Sequence, residues 1–247
     1  LSRNKTNSHN TTSVARRFVC MGGTKHRMRE FAEYMRGVLK LENTDEKLVN
    51  LTKHSQRYAM YKVGPVLSVS HGIGIPSMTT LLQEVIKLLQ YATAKDPFLF
   101  RIGTSGGLGI PPGSVVVSQW GLSGKLDKNY EFVKVYSLAS ETDGFSTFLG
   151  GTMAADDFYR GQARLDGPFC DYTVTEKMEF LNKLSQLGVK NIEMESTAFA
   201  AFTREAGIRA CIVCVTYLDR LLGDQAYRDG SHFLKQRSFR LRTVDKT

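Results

Sequence analysis

The chain has 247 residues, 42% hydrophobic and 23% charged, an ordinary globular mix that excludes wholesale disorder. No run approaches the ~20 apolar residues of a membrane-spanning helix, and about 100–200 residues per domain allows one large domain or two small ones. The formal charge of +9 raises a nucleic acid or a smaller anion as partner, but the excess sits at the ends: nine Lys or Arg against two Glu in 1–40, six against two Asp in 228–247, and 18 basic against 20 acidic residues in 41–227.

Residues 1–17 are polar and basic and predict an arm. The chain starts at Leu1 with neither an initiator Met nor an apolar leader, so no secretory signal is expected and the start reads as lying inside a longer chain. Phe18–Met21 predicts a strand running into Gly22-Gly23-Thr24-Lys25-His26-Arg27; a helix follows with Met28, Phe31, Met35, Val38 and Leu39 on one face. Residues 41–56 are loop-like, and Tyr58–Val63 and Val66–Ser70 predict strands around Gly64-Pro65. His71-Gly72-Ile73-Gly74-Ile75-Pro76-Ser77 opens a helix with Pro76 in its first turn and Met78, Leu81, Leu82, Val85, Ile86 and Leu89 as its buried stripe. Phe98–Ile102 predicts a buried strand ending in a glycine turn, Gly103-Thr104-Ser105-Gly106-Gly107, and Ser114–Ser118 another strand. After a weakly patterned stretch, Lys177–Leu187 is helical, Asn191–Met194 a strand end, Ser196–Ala206 helical and Arg209–Leu218 a strand. Strands alternating with helices predict an α/β fold with a largely parallel or mixed sheet.

Four cysteines, Cys20, Cys170, Cys211 and Cys214, are too few and too scattered for a disulfide scaffold. Cys211 and Cys214 lie three apart in a strand-like run, so they point to opposite faces, which favours core packing over a chelating or redox pair.

Three glycine turns each follow an apolar strand: Gly22-Gly23, Gly72-x-Gly74 and Gly103-x-x-Gly106-Gly107. Such turns bring backbone N–H groups to an anion at the carboxyl ends of strands, yet none matches the P-loop or the dinucleotide fingerprint. Arg101, embedded in Phe98-Leu-Phe-Arg-Ile, is costly to bury unless paired. It reads either as a phosphate or carboxylate fork or as a salt bridge with Glu84 or Glu193. In Asn191-Ile-Glu-Met-Glu-Ser two carboxylates, Glu193 and Glu195, stand two residues apart, either favouring a helix N-terminus or accepting hydrogen bonds from a polyol.

Four segments together resemble the nucleoside phosphorylase-I family, and within it the animal-type uridine branch. They are Arg57-Tyr-Ala-Met-Tyr-Lys-Val-Gly-Pro-Val-Leu-Ser-Val-Ser-His-Gly-Ile-Gly-Ile-Pro-Ser, Arg101-Ile-Gly-Thr-Ser-Gly-Gly, Phe158-Tyr-Arg-Gly-Gln-Ala-Arg-Leu-Asp-Gly and Asn191-Ile-Glu-Met-Glu-Ser. The pattern Gly72-x-Gly74-x-Pro76-Ser77 with Glu84 marks the superfamily, and Gly161-Gln-Ala-Arg-Leu-Asp-Gly is specific to the uridine branch. The resemblance implies a single three-layer α/β/α domain over residues 1–247 with a mixed, twisted central sheet. It also implies a pentosyltransferase that reversibly converts uridine and phosphate into uracil and ribose 1-phosphate, cytoplasmic and serving pyrimidine salvage.

The same resemblance implies that Gly23, Arg27, Arg101 and Thr104 hold phosphate and that Arg57 reaches the phosphate of a neighbouring subunit, making a homodimer. Met194 and Glu195 would contact ribose; Gln162, Arg164 and Phe158 would bind uracil; Arg220 would assist near the base. Arg101, Gln162, Arg164 and Arg220 are thus the expected catalytic residues. No metal or cofactor is implied beyond phosphate as co-substrate, and neither nucleic acid nor membrane as partner. Arginines and backbone N–H groups would desolvate and aim phosphate, while donors at the base would stabilise the charge developing on departing uracil.

The chain departs from the family pattern in places. The family's arm histidine is missing, and His9 and His26 read as surface residues. The chain is short before Phe18 and within 118–140, implying absent loops. Asp219 stands where close relatives have Asn, which leaves an opening for a purine phosphorylase with Asp219 as general acid. A hydrolytic nucleosidase of the same fold and a basic nucleic-acid-binding module are the other readings; three phosphate-gripping arginines count against the first, and core-like placement of Tyr and Phe against the second.

Overall fold

The computed structural model describes residues 17–41, 47–55, 57–126 and 145–225, and the backbone of 130–131. All of the 1–17 arm but Arg17, much of the 118–140 stretch expected to lack a loop, and the basic C-terminal residues lie outside the described residues.

Nine strands and four helices make up the described fold. In chain order they are β1 (Phe18–Gly22), α1 (Lys25–Val38), β2 (Met60–Val63), β3 (Val66–Ser70), α2 (Ile75–Tyr91), β4 (Phe98–Gly107), β5 (Val115–Ser123), β6 (Tyr130–Glu131), β7 (Thr147–Ala154), α3 (Val174–Gln186), β8 (Val189–Glu193), α4 (Ser196–Glu205) and β9 (Arg209–Asp219). They form one mixed sheet in the order β2-β3-β1-β4-β8-β7-β5-β6, with β9 joined to both β4 and β5. The alternation of strands and helices thus yields the expected α/β fold. The sheet also curls: β4, β8, β7, β5 and β9 close into a ring, because β9 runs parallel to β4 and antiparallel to β5 while β8 pairs with the end of β4.

Alternation along β1 shows how the layers form. Val19 and Met21 are sealed into a core with Met78, Leu82 and Val85 of α2 and Phe199 of α4. Cys20 points the other way, onto Met28 and Phe31 of α1. A third cluster lies under α3, where Leu181 and Leu184 meet Met153, Val189 and Ile192. Cys214 joins the α2–α4 core and Cys211 the opposite face beside Val213 and Val115, as their spacing requires. All four cysteines are free thiols.

Three elements differ from their sequence signals. The glycines after Ile102 do not make a turn: β4 continues to Gly107, and these glycines have no left-handed backbone. They give space instead. A Cβ at Gly103 would lie 2.4 Å from an Arg101 guanidinium nitrogen, and one at Gly106 2.7 Å from Arg220 Cγ. By contrast Gly72 (φ 78°) and Gly74 (φ 82°) do turn the chain. β7 lay in the weakly patterned stretch because glycines interrupt it; a Cβ at Gly151 would strike the Trp120 ring. Helix α3 begins three residues before its apolar pattern, at a capping box in which Glu176 N donates to Thr173 Oγ1 (3.2 Å) and Thr173 N to Glu176 Oε2 (2.7 Å).

Candidate functional site

The carboxyl ends of parallel strands β1, β3, β4 and β9 open on one cavity of about 230 Å³, as expected for an α/β sheet. Gly23, Arg27, Arg101, Thr104, Phe158, Gln162, Arg164, Met194 and Glu195, distant in sequence, all line it. Two expected site residues do not. Arg57 is exposed on a separate depression with Glu84 and Leu88, and Arg220 is buried behind the wall.

At one end, Thr24 caps α1 by accepting from Arg27 N at 3.3 Å, so Gly23, Thr24 and Arg27 present a helix N-terminus to the cavity. Free N–H groups and the helix dipole there favour an anion. Arg101 is 3% exposed. Its Nη2 meets Glu193 Oε2 at 2.8 Å and also binds Glu195 Oε2, and its Nη1 donates to Cys214 Sγ at 3.1 Å. Of the two readings of Arg101 the salt bridge is therefore realised, with Glu193 and not Glu84, and Glu195 joins it. Arg101 Nε keeps no hydrogen-bond partner. Burial works against the Arg101 charge, but Glu193 and then Glu195 outweigh it and raise its pKa above the ordinary value.

The two carboxylates divide their work. Glu193 ends β8 and accepts from Glu195 N and Ser196 N, both at 2.9 Å, thereby capping α4. Burial raises its pKa above the usual range despite Arg101. Glu195 accepts from Gly74 N at 2.6 Å, at the start of α2. Burial pushes Glu195 up too, but Arg101 first and the Gly74 N–H hold it below the usual range, hence ionised beside the cavity.

At the other end, Gln162 sits in a single 3-10 turn (Arg160–Gln162), closed by Ala163 in the left-handed region. Asp157 shapes that turn by accepting from Tyr159 N (2.7 Å) and Gly161 N (2.6 Å). Arg164 lies over the Phe158 ring, 4.6 Å from its centre, and its Nε donates to Asp166 Oδ1 at 2.8 Å. Arg220, 1% exposed, donates from Nη2 to the Gln162 carbonyl at 2.7 Å and from Nε to Asp224 at 3.2 Å. Asp224 also takes Lys177 of α3 at 2.8 Å and Leu165 N at 3.0 Å. Arg220, expected to assist near the base, thus does not line the cavity itself but holds Gln162, which does.

Asp219 is turned away from acid work on a base: its Oδ1 accepts from Gly109 N and Leu221 N, each at 3.0 Å, and it does not line the cavity. His26 is an exposed residue paired with Glu30 at 3.2 Å, as a surface histidine should be; His9 lies outside the described residues. His71, Asp166, Asp224 and Lys177 join the site without having been expected from the sequence. Asp166 stood inside the quoted uridine-branch segment, two residues from Arg164.

The phosphorylase superfamily pattern matches residues 17–140 and 129–238. The chain belongs to that superfamily, as a member of the nucleoside phosphorylase-I family. Mouse uridine phosphorylase 2 is 43% identical over 85% of this chain and 71% of its own. A crystal structure of uridine phosphorylase from Schistosoma mansoni in complex with thymine superposes with a TM-score of 0.82 at 36% identity, covering 92% of this chain and 85% of that one. The family also includes a protein named inactive uridine phosphorylase B from Schistosoma mansoni, 36% identical over 88% of this chain and 79% of its own. Membership alone therefore does not carry turnover, and the residues in the phosphorylase cavity must do so. Among the described residues there is no group of three His, Cys, Asp or Glu placed to hold a metal, and no helix long and apolar enough to cross a membrane.

Proposed function

We propose that this phosphorylase-family chain catalyses the reversible phosphorolysis of uridine to uracil and ribose 1-phosphate. The carrying observation is that one cavity holds a helix N-terminus with Arg27 at one end, the ionised Glu195 in the middle, and Gln162 with Arg164 beside Phe158 at the other. Those three chemistries suit an anion, a polyol and a flat heterocycle with carbonyl edges, in that order.

On this reading phosphate binds between Gly23, Arg27 and Thr104, with the free Nε of Arg101 completing its grip. Glu195 accepts hydrogen bonds from the ribose hydroxyls, and Met194 packs against the sugar. A phosphate oxygen attacks the anomeric carbon as its bond to the base nitrogen breaks; the bonding pair leaves on uracil. Gln162 and Arg164 meet the charge that develops on the uracil edge, so they stabilise the transition state more than the bound nucleoside. A preorganised donor of this kind is typically worth ~2.7–4 kcal/mol. Phosphate is the co-substrate and no metal has a part. The exposure of Arg57, apart from the cavity, supports donation across a homodimer interface. The remaining expectation is a cytoplasmic enzyme of pyrimidine salvage, which cell fractionation tests.

The test is Arg164→Ala. It should remove most uracil release from uridine while circular dichroism and melting remain native. Near-normal turnover would show that the base site lies elsewhere. A panel of uridine, thymidine and inosine should place both pyrimidine nucleosides ahead of inosine, since Asp219 is committed to backbone N–H groups.

A further inference from the structure

His71 follows β3 directly and is 1% exposed, yet neither Nδ1 nor Nε2 has a hydrogen-bond partner. An unpaired buried polar group costs free energy, and such groups in native folds call for a reason. His71 is among the residues that line the cavity. Its backbone is locked: His71 N donates to Gly22 O at 2.8 Å, and His71 O accepts from Ser77 Oγ at 2.6 Å. The first of these bonds sets His71 beside Gly23 and the N-terminus of α1, the anion-favouring end.

We propose that His71 is a ligand of the phosphate co-substrate, donating one ring N–H to a phosphate oxygen; this rests on the phosphorolysis reading. The charged groups acting on the ring are Arg27 from α1, Arg101 from β4 and Glu195 at the head of α4. Burial first, then Arg101, with a smaller effect from Arg27, hold its pKa down to about 3, against Glu195 and a slight opposing effect of the Gly72 backbone. The ring is therefore neutral in the empty cavity and offers one N–H donor and one acceptor. A phosphate would add negative charge where two cations now dominate and would give the orphaned N–H an acceptor. A ribose hydroxyl is the competing partner, but on the phosphorolysis reading the ionised Glu195, held by the Gly74 N–H, takes that function.

The experiment compares His71→Phe, a flat ring without a donor, and His71→Asn, a smaller side chain with one. His71→Phe should raise the KM for phosphate roughly 10- to 100-fold, the worth of a hydrogen bond to a charged group, and leave the KM for uridine within about twofold. His71→Asn should recover part of that loss, which a purely structural role would not. Binding of inorganic phosphate alone, read as a rise in melting temperature, should weaken in the same order. A rise in the uridine KM with an unchanged phosphate KM, or equal effects of both variants on stability alone, overturns the proposal. If the wild-type protein binds phosphate through His71 but does not split uridine, the parent reading fails and this one stands.

Discussion

Arg220 Nη2 donates to the Gln162 carbonyl at 2.7 Å, and the side chain is sealed from water, its stem against Gly106 and its guanidinium between Asp224 and the turn that carries Gln162. A buried cation here fixes the backbone of a residue assigned to the base edge. Arg220→Met should therefore lower kcat/KM for uridine by roughly 100-fold, the scale of an ångström's misplacement, while the KM for phosphate stays within about twofold. Steady-state kinetics with each substrate varied in turn distinguishes this from a role at phosphate, which would move both. Asp224 retains Lys177 as a partner, so the variant should remain folded.

The fork between Arg164 and Asp166 makes the same argument from the surface side. Asp166 is held below the usual carboxylate range, first by its hydrogen bond from Arg164, and its side chain is 23% exposed. Asp166→Asn removes the charge-assisted pair that orients Arg164. The uridine KM should rise about tenfold, and the melting temperature should change little, because a partly exposed ion pair contributes at most about 1 kcal/mol. A large loss of stability with unchanged kinetics would make Asp166 structural.

His71 gives the stability a sign with pH. Its folded pKa, about 3, lies below the ordinary value of 6.5. The unfolded chain therefore binds a proton that the folded chain refuses, and this contribution is complete above pH 6.5 and is lost as the pH falls from 6.5 towards 3. Melting temperature in phosphate-free buffer should fall across that window, and the fall should be smaller in His71→Asn. Glu195 adds a loss of the same sign at more acid pH, since its pKa is lowered, and Glu193 opposes it, since its pKa is raised. The difference between the two proteins isolates the histidine. Identical pH profiles would show that the ring is not buried in the neutral form.

If Arg57 completes a partner's phosphate site, two inactive variants should rescue each other. Arg57→Ala and Arg164→Ala, each alone nearly inactive, would form hybrid dimers with one intact site when unfolded together and refolded. Activity should return to about a quarter of wild type, the share of intact sites in random twofold pairing. No recovery would place Arg57 in its own subunit's chemistry or outside it altogether.

Much of the fold was legible because its signals are local: β3 spans Val66–Ser70 as its apolar run predicts, and of the expected α2 stripe Met78, Leu81, Leu82, Val85 and Leu89 are buried and Ile86 is half-buried. The sequence signal and the structure part where glycine acts through space rather than through φ. Gly103 and Gly106 look like turn residues in one dimension, but they make room for the Arg101 guanidinium of the same strand and for the Arg220 stem, as Gly151 does for the Trp120 ring. The site was legible in part by its residue types and in larger part through the family pattern. Whether Arg101 would pair with Glu84 or Glu193 could not be decided without the ring of strands that sets β8 against the end of β4. Asp224 and Lys177 carry little local signal, since they are joined to each other across the chain and Asp224 also to Leu165 N, and the meaning of His71 lies in a buried ring with no partner.

If the anion end of the cavity serves catalysis, cleavage of uridine depends on phosphate. Uracil release from uridine should be negligible in phosphate-free buffer, should rise to saturation with added phosphate, and should yield ribose 1-phosphate in equal amount to uracil. Equal rates with and without phosphate, yielding free ribose, would contradict the account and make the protein a hydrolase.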